Sequence, residues 1–267
     1  MSREGYVCVP VATLWTAPDR ARPIDAAALA VPGDVAAWVA GMDEKARYDL
    51  RDRVETQLLR GERVIAEEEH NGWLRIVAIS QPAPWLDDRG YPGWLPAGQI
   101  ALGRPPQEPS SPGLGAEPIT TAAGLLGTRY LWGGITRYGI DCSGLVHLAH
   151  RAAGQVVPRN SEEQQAWAQP VPLGQERRGD LYFFAEDGRP AHHVGFVVEP
   201  GEMLDACYES GGVVQHGLST ERKATLVGVG RFAGPDAAGR PGPVRSTTDL
   251  RTADDPTTPD TPFADRT

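Results

Sequence analysis

Apolar and polar positions change their period twice along this 267-residue chain. Residues 5–102 have a strand-like pattern. Tyr6–Val11 alternates loosely, and the runs Arg63–Glu69 and Trp73–Val77 flank Asn71-Gly72. Asn-Gly between two such runs predicts a tight hairpin, because both residues tolerate the positive φ that a type I′ turn needs. Gly90-Tyr91-Pro92-Gly93-Trp94-Leu95 is a turn leading into a last short strand. Several short strands in one small segment predict a β-barrel. Val35, Trp38, Val39 and Met42 recur at helical spacing, so a helical insertion is expected within 34–58.

Residues 119–232 have a different character. A helix is expected over Thr120–Leu126, then a Gly-rich turn at Gly133-Gly134. A second helix starts near Cys142 and is stopped by Gly154. Five strand patterns follow: Asp180–Phe184, His193–Val198, Met203–Cys207, Gly212–His216 and Leu226–Arg231. Helices first and strands afterwards predict an α+β unit with an antiparallel sheet. Between the two segments, 103–118 is dense in Pro, Gly and Ser and is expected to be a linker. Residues 233–267 hold too few apolar side chains to offset the entropy of ordering, which predicts a disordered tail.

Charge and cysteine usage narrow the function classes. A formal net charge of −9 argues against nucleic acid as a partner. No apolar run is long enough to span a bilayer, and the first residues lack the basic-then-apolar pattern of a signal peptide. Cys8, Cys142 and Cys207 are an odd number and too few for a disulfide scaffold. A reducing, cytoplasmic setting is therefore expected; a monomer is also expected, with no membrane or nucleic-acid partner.

The cysteines differ in their settings. Cys8 lies between Val7 and Val9 and Cys207 ends a strand, both fitting structural roles. Cys142 sits in Ile140-Asp141-Cys142-Ser143-Gly144, at the first turn of a helix. Unpaired N–H groups and the helix dipole there favour an anionic sulfur and can also steady an oxyanion. Such a nucleophile needs a base. His70 lies in a polar turn, and His147 and His150 are too far along the Cys142 helix. His192 and His193 open a strand, of which one can serve, and Asp205 on the next strand is a candidate orienting carboxylate. Side chains alternate faces, so His193 and Asp205 share one only if the connection holds an odd number of residues or a bulge. A metal site from His192, His193, Asp205 and His216 lacks zinc-like ligand spacing, and no cofactor is expected.

In this setting residues 119–232 resemble the NlpC/P60 cysteine peptidases of bacterial cell-wall metabolism, a papain-like fold. The matching pieces are Tyr130-Leu131-Trp132-Gly133-Gly134, Asp141–Val146, Pro158-Arg159-Asn160-Ser161 with Gln164, Gly179-Asp180-Leu181 and His193-Val194-Gly195. The resemblance implies Cys142 as nucleophile and His193 as base. The third, orienting position in that family is usually His, and here it is Asp205, which accepts from imidazole and stabilises imidazolium.

Thr56–Glu62 and Gly90–Trp94 resemble the bacterial SH3-like domain of γ-D-glutamyl-L-diamino acid endopeptidases. Those enzymes cleave short muropeptides with a free N-terminal L-Ala. Carried over, Glu62 and Tyr91 are expected to bind the substrate α-amine, and Asp141, Ser143 and Ser161 to contact the peptide. Asp141 has a competing role as helix cap. Tyr130 and Trp132 are expected to line the acyl site, with core packing as the competing role. The expected activity is hydrolysis of the γ-D-glutamyl–diamino acid bond of L-Ala-γ-D-Glu-diamino acid peptides. The alternatives are another Cys-His amidase or acyltransferase of this fold, or a non-catalytic wall-peptide-binding module.

Overall fold

The structure, a computed structural model, describes residues 3–103, 116–186 and 188–232. Most of the expected linker and the expected disordered tail lie outside the described residues. The N-terminal half is a seven-stranded antiparallel sheet: β1 (Arg3–Val7), β2 (Val11–Trp15), β3 (Val54–Leu59), β4 (Arg63–His70), β5 (Trp73–Ala78), β6 (Tyr91–Pro96) and β7 (Ile100–Leu102). Their order in the sheet is β3-β2-β6-β5-β4-β1-β7. The Tyr6–Val11 pattern divides between β1 and β2. The β4–β5 hairpin turns at Asn71 and Gly72, with φ of 49° and 79°, the left-handed pair that a type I′ turn requires.

Among the described residues the strands do not close into a barrel, since β3 and β7 are not paired, so the expected β-barrel is not established. The outer side of β3 is turned to the C-terminal half: Val54 O accepts from Trp132 Nε1 at 3.0 Å, and Gln57 Oε1 from Ile135 N at 3.3 Å. A short helix α1 (Ala26–Leu29) precedes the expected insertion, which within 34–58 consists of α2 (Val35–Gly41) and α3 (Glu44–Tyr48) and ends where β3 starts at Val54. Buried Val35, Trp38, Val39 and Met42 join Trp15, Leu50, Val54 and Leu131 in one apolar cluster. Leu131 belongs to the C-terminal half, so the insertion packs across both.

In the C-terminal half, α4 (Pro118–Ala123) ends three residues before Leu126. A short ladder, β8 (Ile135–Thr136) with β9 (Gly139–Ile140), precedes α5 (Cys142–Ala152) and α6 (Ser161–Trp167). Helix α6 has no apolar period to betray it, because it buries Ser161, Glu163 and Gln164 instead. Then come β10 (Gln169–Val171), β11 (Leu181–Phe184), β12 (His193–Glu199), β13 (Glu202–Cys207), β14 (Gly212–Gly217), α7 (Thr220–Ala224) and β15 (Leu226–Arg231). They form the expected antiparallel sheet, in the order β10-β15-β11-β12-β13-β14. Buried Leu145, Val146 and Ala149 of α5 pack on Val194, Phe196 and Leu204, which fixes the N-terminus of α5 beside the start of β12.

Candidate active site

Cys142 is the first residue of α5, and Asp141 caps that helix: its Oδ1 accepts from Gly144 N at 2.6 Å. Its Oδ2 accepts from Gly133 N at 2.7 Å and pairs with Arg159 Nη2 at 2.7 Å. Arg159 is 1% exposed, and its remaining nitrogens bond Ser143 Oγ and, from the N-terminal half, Thr56 Oγ1. A charge this deep is tolerated because it is paired and hydrogen-bonded. Together these bonds lock the turn that presents Cys142. Gly144 is required there, since a Cβ would lie 2.2 Å from Gly134 O.

His193 starts β12 and is buried. Its Nε2 lies 2.6 Å from Asp205 Oδ2, which leaves Nδ1 for the Cys142 side chain in the cavity that both residues line. The face condition is met by a bulge. A two-residue Pro200-Gly201 turn joins the strands, and the β12–β13 register shifts between Val197 and Glu199. Continued past Phe196↔Leu204, that register sets Asp205 opposite Gly195, on the face of His193. Gly195 keeps the path open: a Cβ there would lie 2.8 Å from Asp205 Cβ.

Asp205 has a second imidazole. His216 of β14 donates through Nε2 to Asp205 Oδ1 at 3.0 Å. Met203 pairs with His216 across β13–β14, and Asp205 is two residues further along the same face. Nothing in the sequence separates His216 from any other strand-end histidine; only the register brings it here. Burial pushes the Asp205 carboxyl up, and the bonds from His193 and His216 more than offset this, leaving it below the ordinary value. Burial works against charge on His193 as well. The Cys142 sulfur and the Asp205 carboxylate outweigh it and raise the ring to about 9. The arrangement therefore holds an imidazolium at neutral pH between a sulfur and a carboxylate, as acyl transfer through a cysteine needs.

Two cavities meet at Cys142. The smaller, about 450 Å³, is lined by Tyr91, Tyr130, Trp132, Asp141, Ser143 and Ser161, all expected from the sequence, together with Glu55, Arg159 and Asn160. The larger, about 640 Å³, holds His193, Tyr130 and Trp132, and reaches Tyr48, Arg51, Tyr208 and Arg222. Tyr130 phenol is held well above its ordinary pKa, first by burial and then by the Cys142 sulfur, so it stays a proton donor. Asp141 lines the cavity with both oxygens engaged by protein donors, so capping is its established contact.

Glu62 does not reach either cavity. It is 1% exposed, and its carboxylate is taken up by Arg151 Nη1, Leu59 N at 2.8 Å, Ser80 Oγ at 2.6 Å and Gln81 Nε2 at 3.3 Å. The carboxylate beside Tyr91 is Glu55, whose Oε2 accepts from the Tyr91 hydroxyl at 3.0 Å. Burial raises the Glu55 carboxyl, and the Tyr91 bond and the Arg159 charge oppose that rise. His147 and His150 are buried and bonded to backbone carbonyls, and burial lowers them to about 3 and about 4.

Residues 127–229 match the NlpC/P60 family. The chain is 31% identical over 257 residues to the γ-D-glutamyl-L-lysine dipeptidyl-peptidase of Bacillus subtilis (strain 168), covering 73% of this chain and 86% of that one. The chain belongs to the NlpC/P60 family. This NlpC/P60 protein is accordingly a cysteine peptidase. It is also 27% identical to the enzyme of the same name from Bacillus cereus, over 75% of this chain and 82% of the relative. A shorter match, 34% over 121 residues, joins 40% of this chain to 48% of the peptidoglycan endopeptidase RipB of Mycobacterium tuberculosis. The crystal structure of an NlpC/P60 family protein from Bacillus cereus superposes with a TM-score of 0.78 at 24% identity, over 86% of this chain and 99% of that chain. The NlpC/P60 match begins after the seven-stranded sheet, whereas the similarity in fold extends over that sheet as well.

Proposed function

We propose that this peptidase hydrolyses the γ-D-glutamyl–diamino acid bond of short wall peptides with a free N-terminal L-Ala. The observation that carries this reading is the junction of two cavities at one sulfur, with His193 held between Cys142 and Asp205. His193 lines the larger cavity and not the smaller. The base must return its proton to the departing amine, so the larger cavity takes the leaving group and the smaller the acyl group.

In this mechanism the Cys142 thiolate attacks the γ-carbonyl carbon. Backbone N–H groups at the start of α5, with the Tyr130 phenol, face the developing oxyanion. His193 gives its proton to the α-amine of the diamino acid as the C–N bond breaks, leaving a thioester on Cys142. Water then attacks the thioester carbon and passes a proton to His193. L-Ala-γ-D-Glu leaves as the carboxylic acid and gives its remaining proton to solvent, and the sulfur returns as the thiolate with His193 protonated.

The acyl cavity ends on Glu55, Tyr91 and Asn160, where Asn160 Oδ1 lies 3.3 Å from the Tyr91 hydroxyl. A half-buried carboxylate with two further oxygens nearby suits an ammonium and disfavours an N-acylated peptide. The amine-binding role expected of Glu62 and Tyr91 thus belongs to Glu55 and Tyr91. Residues 5–102 act here as an SH3-like module that closes the acyl cavity and limits it to a dipeptide. A requirement for a free amine suits peptides already released from the wall, in keeping with a cytoplasmic enzyme.

The test offers L-Ala-γ-D-Glu-diamino acid peptides, with free or acetylated N-termini, to wild type, Cys142→Ala and Glu55→Gln. Wild type is expected to cleave only the free peptide and Cys142→Ala neither. Glu55→Gln should raise KM by about 10- to 100-fold, with a smaller change in kcat, because ground-state amine binding is what it loses. Cleavage of the acetylated peptide at the same rate refutes the amine site, and activity in Cys142→Ala refutes the nucleophile.

A further inference from the structure

We propose that the larger cavity is a receptor for a leaving diamino acid whose side chain carries a carboxylate, and that Arg51 selects it. This inference rests on the peptidase reading above. The relatives named for L-lysine would release a side chain ending in an ammonium alone; the charges lining this cavity ask for a different chemistry.

Three arginines line it. Arg189 is paired with Glu186 at 3.1 Å. Arg222 lies 3.8 Å from Glu209, stacks on Phe184 at 5.3 Å and points Nη2 at Cys207 Sγ. Arg51 alone among the described cavity-lining arginines has no carboxylate partner. Its Nη1 donates to the Tyr48 hydroxyl at 3.3 Å, and its guanidinium lies 5.6 Å from the centre of the Tyr48 ring. Tyr48 is anchored in turn: its ring is 4.8 Å from Tyr208, and Tyr208 packs edge-on against Tyr130 at 5.8 Å. A chain of three aromatic rings thus connects the helical insertion of the N-terminal half to the wall beside Cys142, with Arg51 at its outer end.

An unpaired guanidinium in a cavity of ligand size is a carboxylate receptor, and it repels an ammonium. Glu186 and Glu209, both exposed at the rim, already face Arg189 and Arg222, and Glu209 also accepts from Cys207 Sγ at 2.9 Å, so an incoming amine would share these carboxylates with them. A side chain that ends in an amine and a carboxylate on one carbon, the 2,6-diaminopimelate class, satisfies both signs at once. Lysine satisfies only the glutamates. Arg51 also borders the acyl cavity, where the α-carboxylate of D-Glu is a rival ligand. Tyr48, which holds the guanidinium, lines the leaving-group side alone, and this favours the leaving residue.

The experiment compares L-Ala-γ-D-Glu-X, with X as diaminopimelate or lysine, each as the free acid and the C-terminal amide. Wild type, Arg51→Gln and Arg51→Lys are assayed for kcat/KM. Wild type should favour diaminopimelate by at least about tenfold, and Arg51→Gln should cut that peptide by about 10- to 100-fold, the worth of a charged hydrogen bond. The lysine peptide should lose less than about threefold, bringing the two substrates close to equality, and Arg51→Lys should restore part of the preference. Amidation of the C-terminus should leave the pattern in place. An equal loss on both peptides assigns Arg51 to the D-Glu carboxylate and overturns the inference, as does a loss that follows amidation. If Arg51→Gln does not fold, the wild-type preference and Arg51→Lys decide, and a wild-type ratio near one overturns it. The anilide of L-Ala-γ-D-Glu, whose leaving group carries no charge, reports on the peptidase reading separately. No release of aniline by wild type sinks that reading, whereas release without any diaminopimelate preference sinks only this one.

Discussion

At the scale of single residues, the site is a chain of proton-sharing groups whose charges are set by their neighbours. His193 is raised to about 9, so its folded-state proton is harder to remove than that of an unfolded histidine. That proton stabilises the fold fully below pH about 6.5, and the contribution is lost as pH climbs through about 9. Activity should follow the same upper limit, because departure of the amine needs the imidazolium. Asp205→Asn keeps the shape and removes the charge. Its kcat/KM should fall on the order of 10²–10⁴-fold, and the alkaline limb of its pH profile should move to lower pH than in wild type. An unmoved limb would mean that the carboxylate does not tune the ring. Cys142, the His192–His193 pair and Asp205 were legible as candidates from residue type and order, and the family resemblance favoured His193. Glu55 was not, because Glu55 and Glu62 lie on the same β3–β4 unit and both are acidic. Which of them faces the cavity depends on how β3 docks against the C-terminal half, and no local pattern encodes that.

At the scale of elements, the decisive unit is the β12–β13 hairpin. Alternation alone, with a two-residue turn, would have put Asp205 on the wrong face, and one bulged residue corrects it. Gly195 then provides the clearance. In Gly195→Ala the new Cβ meets the flexible end of Met203 at 2.4 Å and the far less mobile Asp205 Cβ at 2.8 Å. Displacing Asp205 by a fraction of an ångström should lower kcat by roughly 10²-fold. The melting temperature should fall by only a few degrees, about 1 kcal/mol for a chain of this size. A large loss of stability with normal kcat in the surviving fold would show that the glycine serves packing rather than alignment. Strands β11 to β15 were legible because each pairs apolar positions with turn residues at its ends, whereas β8, β9 and β10, of two or three residues each, are too short to show a period. Helix α6 was not, since its buried positions are polar and are satisfied by partners distant in sequence, such as Gln164 Nε2 on Ser143 O at 2.9 Å.

At the scale of the whole molecule, the two halves build one site and one buried charge network. Arg159, from the C-terminal half, bonds Asp141 beneath Cys142 and Thr56 on β3. Arg159→Met would leave Asp141 as a buried carboxylate without its cation, at a cost of about 3–5 kcal/mol. Urea denaturation should show this as a lower midpoint with little change in slope. A midpoint within experimental scatter of wild type would mean that water or another donor replaces the guanidinium. The same junction explains the missing barrel closure. The edge of β3 that a barrel would seal is turned instead to Trp132 and Ile135.

The sequence by itself singled out Cys142 at a helix start, the pair His192 and His193 as candidate bases, Asp205 as a candidate carboxylate and the antiparallel sheet that carries them. Those follow from residue chemistry and from short-range periodicity, which a linear pattern records, and the family resemblance favoured His193 of the pair. The tertiary structure alone decided that Glu55 replaces Glu62 beside Tyr91, that His216 holds the second oxygen of Asp205, and that Arg51 lines the larger cavity. Each of these joins groups whose meeting depends on strand register or on the docking of two halves. Register and docking are settled by the summed burial of many side chains, so no single motif announces them.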